Sequence, residues 1–468
     1  MRQYILDISM KSGVIDMKKL KVVILAAGEG KRMRSKTPKV LHKLCGKTMI
    51  EQVIDVAKAA GADEICVVVG HGGNEVINSI NDENIVFKYQ TEQKGTGHAV
   101  MQAVDFIDDD YNIIVLYGDA PLIKAETMKE LVGFHEKEAN SISMISAILD
   151  KPEGYGHIVR DENGNFIKNI EHKDANEIEK AIKEINAGVY CFDGDVLKKS
   201  LSLLKNDNVQ GEYYLPDTLE ISLINGGRVN AMIVCDYEQF LGVNSKAQLS
   251  DAAAVLRRRI NKSHMDNGVD IVDPERTYID MNVRIGMDTT ILPGVVIEGK
   301  TVIGEECKIG PDSRLTDMII GNNVKLQYTT AVESSVGDGA NVGPYAYIRP
   351  NSKIGKNVKI GDFVEIKNST IGDDTKVSHL TYIGDTEAGE RINFGCGTVT
   401  VNYDGKKKFT TVIEDDAFIG CNANLIAPVR VGKGSYVAAG STITDDVPKD
   451  SFAIARKRQE NKTGWVKK

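Results

Sequence analysis

A glycine loop close to the N-terminus, followed by several cations, has the composition of a phosphate-binding site. The apolar run from Val22 to Leu25 predicts a buried strand, and small residues with two glycines follow it directly. Glycine lets a phosphate approach the backbone N–H groups closely. The loop and its flank supply Leu25, Ala26, Ala27, Gly28, Gly30, Lys31, Arg32, Lys36 and Lys39. The spacing matches neither the dinucleotide fingerprint nor the P-loop, and a plain strand-to-helix turn would explain the glycines but not the cations.

Two further polar segments in the same half of the chain could contribute to a site. In one of them, Gln90 offers a paired donor and acceptor to the edge of a base, and Gly95 and Thr96 come just before a predicted helix start. In the other, Asp119 ends a strand, where one carboxylate can hold Mg²⁺ if water and phosphate supply the remaining ligands. The alternative explanations are an ordinary capped loop and a turn before Pro121.

Four weaker candidates are spread over the same half of the chain. Each places one polar or small residue in a strand-like or turn context; they are Gly156, Glu171, Asn186 and Asn244. Alone, each fits a surface turn better than a site. Their weight depends on their order and spacing along the chain.

The elements that must position these residues alternate between strands and helices. Strands are predicted over 22–25, 65–69, 113–116 and 143–147, and helices over 51–60, 98–104 and 125–138. Such alternation is typical of α/β domains, in which helices cover both faces of a mostly parallel sheet. Ligands bind outside the carboxyl ends of such strands, which is where the glycine loop falls.

From residue 269 onward the sequence repeats with a period of six residues. An aliphatic residue recurs at the sixth position and is often followed by glycine, as in Ile303-Gly304, Val342-Gly343 and Ile360-Gly361. Three hexads form one triangular coil of ~18 residues, and successive coils stack ~4.8 Å apart. The pattern predicts an all-β, left-handed parallel β-helix, interrupted by a protruding loop at residues 402–408.

A single histidine, His379, lies in the repeat region and breaks a hexad. One histidine cannot form the multi-histidine zinc site of a carbonic-anhydrase-like prism. A surface histidine at a corner is the plain explanation, but Arg349 and Lys367 lie on neighbouring predicted coils and could bind a phosphate. The polar groups that could contact a sugar are Asn393, Asn402 and Tyr403.

Length and composition restrict the class of protein. The chain has 468 residues, enough for two or more domains, and a net charge of −8 that argues against a nucleic-acid partner. It has no apolar run near the ~20 residues of a membrane span. Seven scattered cysteines without a C-x-x-C pair suit a reducing compartment. We therefore expect a cytoplasmic protein with no membrane partner.

Four segments are expected along the chain. Residues 1–16 form an N-terminal extension without the features of a secretory signal. Residues 17–244 form the α/β domain, and residues 245–268 form a helical linker with three arginines toward its end. Residues 269–468 form the β-helix and a basic C-terminal tail.

Residues 20–245 resemble the sugar-nucleotide pyrophosphorylases, and within them the N-acetylglucosamine-1-phosphate uridylyltransferases. The resemblance rests on L-A-A-G-x-G-x-R-M…P-K and on the order of the later segments. It implies a Rossmann-like nucleotidyltransferase domain with a mixed, mostly parallel sheet that binds UTP. It assigns the nucleotide to Leu25, Ala26, Ala27, Gly28, Arg32, Lys39, Gln90, Gly95 and Thr96, the sugar phosphate to Gly156, Glu171, Asn186 and Asn244, and Mg²⁺ to Asp119 and Asn244.

The segments H-L-T-Y-x-G-D, N-F-G-C-G-T and V-N-Y-D-G resemble the glucosamine-1-phosphate N-acetyltransferase half of the bacterial bifunctional uridylyltransferase/acetyltransferases. The resemblance implies that His379 is the general base for the 2-amine of the sugar and that acetyl-CoA is the donor. It assigns the sugar phosphate to Arg349, Lys367, Tyr382 and Asn393, and acetyl-CoA to Cys396, Asn402, Tyr403, Cys421, Ala439 and Arg456. Many relatives have alanine in place of Cys396 and serine in place of Cys421; we expect binding to survive and thiol sensitivity to increase.

The expected protein is a bifunctional cytoplasmic enzyme, a homotrimer, that supplies a cell-wall precursor. It would acetylate glucosamine 1-phosphate with acetyl-CoA and then couple N-acetylglucosamine 1-phosphate to UTP, giving UDP-N-acetylglucosamine and pyrophosphate. The second step needs no base because a phosphate oxygen attacks, and Mg²⁺, Arg32 and Lys39 would align the anions. Two alternatives stay open: a single-activity sugar-nucleotide pyrophosphorylase with a structural or regulatory β-helix, and a non-catalytic regulatory subunit.

Overall fold

A computed structural model describes residues 18–467 of the chain. The expected N-terminal extension, residues 1–16, lies outside the described residues. The chain divides into two compact units, one ending at Val255 and the other beginning at Leu256. Within the described residues, no helix combines the length and the apolar composition needed to cross a membrane.

The described part of the first unit is built on a nine-stranded sheet. Its strands are β1 (Leu20–Ala26), β4 (Glu64–Val69), β5 (Ile85–Tyr89), β6 (Asn112–Tyr117), β7 (Ile142–Ile148), β8 (His157–Arg160), β9 (Phe166–Ile170), β10 (Glu184–Asp193) and β11 (Val229–Ile233). Two short strands, β2 (Lys43–Leu44) and β3 (Lys47–Thr48), form a separate hairpin. The order in the nine-stranded sheet is β11-β7-β10-β6-β1-β4-β5, with β8 paired to β10 and β9 paired to β8. The helices are α1 (Met49–Ala60), α2 (Gly73–Ser79), α3 (Thr96–Met101), α4 (Ala125–Lys137), α5 (Glu177–Lys180), α6 (Gly194–Leu203), α7 (Asp217–Ile224) and α8 (Lys246–Asp266).

The sheet is mixed and mostly parallel, which confirms the predicted fold class. β6, β1, β4 and β5 are parallel to one another, whereas β10 is antiparallel to both β6 and β7. All seven residues of β1 are buried, because alternate side chains enter separate apolar cores on the two faces. Since β1, β4 and β6 are parallel, their carboxyl ends lie at one edge of the sheet. The predicted helix at 98–104 begins earlier, at Thr96.

The second unit is a parallel β-helix of hexapeptide repeats, as predicted. Its described strands form three sheets, in which each strand pairs in parallel with the strand one coil later. The first sheet contains Asp270–Ile271, Thr290–Ile291, Lys308–Ile309, Lys325–Leu326, Asn341–Val342, Lys359–Asp362, Lys376–His379, Asn393–Phe394, Phe418–Ile419, Tyr436–Val437 and Phe452–Ala453. The second contains Tyr278–Ile279, Val296–Glu298, Arg314–Thr316, Thr330–Val332, Tyr347–Ile348, Glu365–Lys367, Tyr382–Gly384, Val399–Val401, Asn424–Ile426 and Thr442–Ile443. The third contains Arg284–Ile285, Val302–Ile303, Ile319–Ile320, Ser335–Val336, Lys353–Ile354, Thr370–Ile371, Thr386–Ala388, Thr411–Ile413 and Val429–Val431.

The aliphatic residue of each hexad points into the β-helix, where one apolar core runs from Val269 to Val447. The hexads break at residues 403–408, which are exposed and closed by an antiparallel bridge between Tyr403 and Lys408. The exposed loop therefore begins one residue later than the predicted range of 402–408, because Asn402 is buried. Helix α8 crosses the point at which the two compact units divide and covers most of residues 245–268.

Candidate active sites

A pocket lies at the carboxyl edge of the first unit's sheet, at the ends of β1 and β6. Its volume is about 310 Å³. The residues of its wall are Leu25, Ala26, Ala27, Gly28, Lys39, Val40, Gln90, Gln93, Gly95, Thr96, Ala99, Tyr117, Asp119 and Glu212. The glycine loop, the Gln90 segment and Asp119 therefore meet in one cavity, although they are far apart in the sequence.

The Gln90 segment forms a rigid part of this wall. The Gln90 side chain is buried, and its amide nitrogen donates to the carbonyl of Gly95 at 3.0 Å. Gly95 has a φ of 104°, and a Cβ there would lie 2.5 Å from the carbonyl oxygen of Tyr213, so this position requires glycine. The Thr96 hydroxyl accepts from the N–H of Leu215 at 3.1 Å. These contacts hold the loop against residues 213–215.

Asp119 and Asn244, the two predicted metal ligands, come together on one cation. The Lys39 ammonium contacts Oδ2 of Asp119 and donates to Oδ1 of Asn244 at 2.8 Å. The N–H of Val243 donates to the carbonyl of Asp119 at 2.9 Å, which ties the two segments together. The three side chains therefore form a partly shielded polar group at one end of the pocket.

The donor set of this group fits a small divalent cation. A carboxylate oxygen and an amide oxygen already converge on a positive charge, and Mg²⁺ prefers such oxygen ligands. Among the described residues, no cluster of three histidine, cysteine, aspartate or glutamate side chains could hold a metal ion. The arrangement therefore suits an ion for which water and substrate phosphates complete the ligand set.

Arg32 lies apart from this pocket. It belongs to the short 3-10 turn Lys31–Met33, and its side chain is exposed. The residues on either side of this turn, Gly30 and Arg34, both have left-handed backbones with φ of 64° and 46°. Of the two cations that the resemblance assigns to phosphate, the structure brings Lys39 to the pocket wall but not Arg32.

Gly156, Glu171 and Asn186 meet around Asn169, a residue that sequence reasoning missed. Nδ2 of Asn186 donates to Oδ1 of Asn169 at 3.2 Å and to the hydroxyl of Tyr190 at 2.8 Å. A Cβ at Gly156 would lie 2.6 Å from Oδ1 of Asn169, so a side chain there would displace it. Burial raises the pKa of the Glu171 carboxyl. The group is a compact polar patch able to bond the hydroxyl and amide groups of a sugar.

His157, to which the sequence assigns no role, supports this patch. It is fully buried, and its Nδ1 lies 2.9 Å from the carbonyl oxygen of Ile182. Because a carbonyl only accepts, Nδ1 carries the proton and Nε2 accepts from Nδ1 of His172 at 2.9 Å. The pair fixes His172 and, with it, the neighbouring Glu171.

In the second unit, His379 stands next to a carboxylate of the preceding coil. Its Nδ1 lies 2.6 Å from Oδ1 of Asp362, and the strand register pairs the two residues. Because a carboxylate only accepts, Nδ1 of the neutral ring carries the proton and Nε2 keeps a lone pair, as a general base requires. The hydrogen bond with His379 lowers the pKa of Asp362. Both side chains are accessible, with exposed fractions of 58% for His379 and 37% for Asp362.

A second polar group in the β-helix surrounds Asp385. Its Oδ1 accepts from Nδ2 of Asn368 at 2.6 Å, and its Oδ2 accepts from Nζ of Lys367 at 3.3 Å and from Nδ2 of Asn402. Burial alone would raise the pKa of the Asp385 carboxyl, but these donors outweigh burial and the pKa is lowered. Lys367 lies one coil before Asp385 and Asn402 lies one coil after it, so Asp385 links three successive coils.

Tyr382, Arg349 and Lys408 extend this group. The Tyr382 hydroxyl borders the space beside Gly384, where a Cβ would also lie 2.8 Å from Nδ2 of Asn402. The nearby ammonium of Lys367 lowers the pKa of Lys408, with a smaller contribution from Arg349. Arg349 also pairs with a carboxylate of the next coil, Glu365, at 2.7 Å. Three cations gathered on one surface suit a phosphate.

Four of the six predicted acetyl-CoA residues lie along one corner of the β-helix; they are Cys396, Cys421, Ala439 and Arg456. The strands before them pair in register from coil to coil. The ladder continues through the corner, because the N–H of Asn422 donates to the carbonyl of Cys396 at 2.7 Å and the N–H of Gly440 donates to that of Cys421 at 2.8 Å. Arg456 reaches the same corner, with Cδ 3.7 Å from where a Cβ of Gly440 would lie.

The remaining two predictions fall in different places. Asn393 lies in the strand that pairs with the strand of His379, one coil later. Tyr403 lies in the exposed loop, where its hydroxyl donates to the carbonyl of Gly405 at 2.7 Å. The structure brings Asn402 into the polar group around Asp385 but leaves the neighbouring Tyr403 outside it.

Sequence reasoning missed Asp362, Asp385 and Lys408 in this unit. Asp362 precedes His379 by 17 residues, and Asp385 follows Lys367 by 18 residues. Both separations are about one coil. A search for acceptors one coil away from each candidate would therefore have found both carboxylates.

Both units match known protein families. Residues 21–237 match the nucleotidyl transferase family, and residues 282–317, 333–368 and 410–445 match the hexapeptide repeats of bacterial transferases. Fold and sites thus define a transferase with one nucleotidyl transferase domain and one hexapeptide-repeat domain. The bifunctional protein GlmU of Caldanaerobacter subterraneus is 53% identical over 96% of this chain and 98% of its own length. Those of Clostridium botulinum and Geobacillus sp. are 53% and 52% identical, over 95% and 96% of this chain and 98% of their own lengths. The chain belongs to the GlmU family of bifunctional proteins.

Proposed function

We propose that this enzyme acetylates glucosamine 1-phosphate with acetyl-CoA at the β-helix, and then transfers the uridylyl group of UTP to N-acetylglucosamine 1-phosphate at the α/β pocket. The end products are CoA, pyrophosphate and UDP-N-acetylglucosamine. The observation that carries the proposal is the hydrogen bond between His379 and Asp362 on a β-helix that also bears a cluster of cations. A base with a free ring nitrogen suits the amine of such a sugar, and the cations suit its phosphate.

In acetyl transfer, the 2-amine of the sugar attacks the acetyl carbonyl of acetyl-CoA. Nε2 of His379 takes a proton from the amine, the C–S bond breaks, and the proton passes to the departing thiolate. Asp362 holds the imidazole in the required tautomer and stabilises the imidazolium that forms. Arg349, Lys367 and Tyr382 bind the phosphate, with Asn393 beside them. The acetyl-CoA residues are Cys396, Asn402, Tyr403, Cys421, Ala439 and Arg456.

In uridylyl transfer, a phosphate oxygen of N-acetylglucosamine 1-phosphate attacks the α-phosphorus of UTP, and the bond to pyrophosphate breaks. The attacking group is already an anion, so the barrier lies in bringing two anions together. Lys39 offsets that repulsion, and Mg²⁺ held by Asp119 and Asn244 would supply further charge neutralisation. The base and ribose lie against Leu25, Ala26, Ala27, Gly28, Gln90, Gly95 and Thr96, and the sugar lies against Gly156, Glu171 and Asn186. Arg32 is included among the phosphate-binding residues on the resemblance alone, since its exposed turn lies outside the pocket wall.

The proposal includes assembly in the cytoplasm as a homotrimer, with domain limits at 17–244, 245–268 and 269–468. An exposed apolar ladder next to Asp362 supports assembly at this corner. The rings of Tyr328, Tyr345 and Phe363 stack on consecutive coils with centroids 5.3 and 5.5 Å apart. Contiguous exposed apolar groups of this kind are typical of surfaces between chains.

Product analysis with His379→Ala tests the proposal. The full chain, given glucosamine 1-phosphate, acetyl-CoA, UTP and Mg²⁺, should form UDP-N-acetylglucosamine. His379→Ala should lose acetyl transfer by about 10²- to 10⁴-fold, the usual contribution of a general base, and keep uridylyl transfer from N-acetylglucosamine 1-phosphate. Lys376→Ala, an exposed change on the same strand, is the matched control. If the unmodified chain shows uridylyl transfer but no acetyl transfer, the single-activity alternative is correct. If it shows neither activity, the chain is a regulatory subunit.

A further inference from the structure

Two thiols lie one above the other at the acetyl-CoA corner. Strand pairing places Phe394 against Ile419, and each cysteine comes two residues after its strand residue, so Cys396 and Cys421 occupy equivalent places on neighbouring coils. The hydrogen bond from the N–H of Asn422 to the carbonyl of Cys396, 2.7 Å long, shows that this register persists to the cysteines themselves.

The coils approach each other closely at this point. A Cβ added at Gly395 would lie 2.5 Å from the backbone nitrogen of Cys421, so a larger residue there would push the coils apart. Neighbouring strands are ~4.8 Å apart, and disulfides form between residues whose Cα atoms are roughly 4.4–6.8 Å apart. Equivalent cysteines on adjacent coils therefore meet the distance requirement without a change of the backbone fold.

Both thiols are free, and neither belongs to the apolar core. Cys421 is exposed and Cys396 is half-buried. By contrast Cys307, a third cysteine of the β-helix, is buried and its thiol donates to the carbonyl of Gly321 at 3.1 Å. Oxidants in water therefore reach the Cys421 position first, with a second thiol one coil away to react with the product.

We propose that Cys396 and Cys421 are a redox-sensitive pair, which a peroxide converts to an intramolecular disulfide. The Cys421 thiolate attacks one peroxide oxygen, the O–O bond breaks, and hydroxide leaves as water after protonation, which gives a sulfenic acid. The Cys396 thiol then attacks the sulfur of the sulfenic acid, an S–S bond forms, and a second water leaves. Two electrons pass from the two thiols to one peroxide molecule.

The disulfide blocks acetyl-CoA binding at this corner, and this effect rests on the proposed function. His379 is the equivalent residue one coil before Cys396, since Val377 pairs with Phe394. The bond joins the two coils that follow the base along this corner and takes both thiols away from the proposed acetyl-CoA surface. Oxidation thereby stops acetyl transfer, while uridylyl transfer in the other unit continues.

Peptide mapping of the full chain tests the bond itself. The protein is treated with hydrogen peroxide, its remaining thiols are alkylated, and it is digested with trypsin. Three lysines at 406–408 separate the cysteines, so a disulfide joins two peptides that mass spectrometry detects as one linked species. We expect this species after oxidation and its loss after dithiothreitol. Oxidation that leaves the two peptides unlinked would overturn the proposal.

Kinetics before and after oxidation test the consequence. Acetyl transfer should fall at least tenfold with peroxide and recover with dithiothreitol, while uridylyl transfer stays constant. In Cys396→Ser and Cys421→Ser, the ratio of oxidised to reduced activity should move toward one; the control Cys235→Ser, which removes an exposed cysteine of the other unit, should retain the full response. If the linked peptides form but acetyl transfer is unchanged, the disulfide does not block acetyl-CoA binding. If the reduced protein shows no acetyl transfer, the proposed function fails, while the mapping still decides on the bond.

Discussion

Asp385 is the best place to test how the β-helix site is held together. The residue is 8% exposed, and it accepts hydrogen bonds from Lys367, Asn368 and Asn402. All three neighbours present N–H donors to Asp385, so both oxygens of its side chain must act as acceptors. An asparagine has one oxygen and one NH₂ group, so Asp385→Asn must set a donor against a donor in a buried place.

The size of the effect follows from these contacts. A hydrogen bond to a charged group contributes about 1.5–3 kcal/mol. Removal of one partner of a buried ion pair costs roughly 3–5 kcal/mol, less here because the Lys367 side chain is 19% exposed. We expect the free energy of unfolding of the β-helix to fall by about 3 kcal/mol. The KM for glucosamine 1-phosphate should rise roughly tenfold or more, because Lys367 and Asn402 lose the carboxylate that holds both. A tenfold rise corresponds to a loss of ~1.4 kcal/mol of binding free energy.

Asp374→Asn is the matched control for Asp385→Asn. Asp374 also occupies a corner with a left-handed backbone, with φ of 59° against 48° for Asp385, but it is exposed. Asparagine and aspartate both tolerate this backbone conformation, so neither substitution introduces backbone strain. Guanidinium denaturation and steady-state acetyl transfer should be measured for both variants. A loss below about 1 kcal/mol in Asp385→Asn, together with an unchanged KM, would refute the reasoning.

The same substitution should show a defined pH dependence. The pKa of Asp385 is lowered in the folded protein. Its contribution to stability is therefore present above the unfolded pKa, about 3.9, and is lost as the pH falls through the folded value. The difference in unfolding free energy between the parent and Asp385→Asn should be full at pH 7 and shrink on acidification below about pH 4. A difference that stays constant to low pH would show that charge is not its cause.

Three further predictions concern the first unit. Gly95→Ala should lower stability by roughly 2 kcal/mol and raise the KM for UTP, because a Cβ would lie 2.5 Å from a carbonyl oxygen and the φ is 104°; an unchanged melting temperature and KM would contradict it. Burial, reinforced by neighbouring carboxylates, raises the pKa of Asp217 to about 6. The destabilisation therefore develops as the pH rises from the unfolded pKa, about 3.9, to the folded value and is complete above it, so Asp217→Asn should stabilise the protein by about 2 kcal/mol at pH 8 and little at pH 4; equal effects on denaturation at the two pH values would contradict this. Lys39→Gln should tighten the binding of Mn²⁺ to the nucleotide-free protein several-fold, because the ammonium no longer occupies Asp119; weaker or equal binding in electron paramagnetic resonance titrations would count against this account.

The β-helix could be predicted almost completely from the sequence. Each hexad carries its own pattern of one buried aliphatic residue and a corner, and each coil depends only on its neighbours. Local patterns therefore determine the whole of this unit. The meeting of the glycine loop and Asp119 was also predictable, because polar residues that follow parallel strands lie at one edge of the sheet. Strand β5, which places Gln90 at the same edge, was not predicted.

Other features depend on contacts that local patterns do not contain. β10 is not among the predicted strands, and it runs antiparallel to both of the strands it joins, β6 and β7. Asp362 and Asp385 gain their roles only from the residue one coil away, and the coil length changes from 17 to 18 residues between the two pairs. Arg32 lies outside the pocket wall in an exposed turn whose flanking residues, Gly30 and Arg34, have left-handed backbones, a conformation that residue spacing does not encode.

The backbone ladder of the β-helix places equivalent residues of successive coils at regular intervals along its axis. The carboxylate Asp362, the base His379 and the thiols Cys396 and Cys421 lie on four successive coils, each held in place by the backbone ladder. Removing one entire coil upstream would shift all four residues by one coil and keep the distances between them. Removing a fraction of a coil within this stretch would instead turn the later residues onto another face, so the domain can change length only by whole coils or by loops that leave the ladder, as residues 403–408 do.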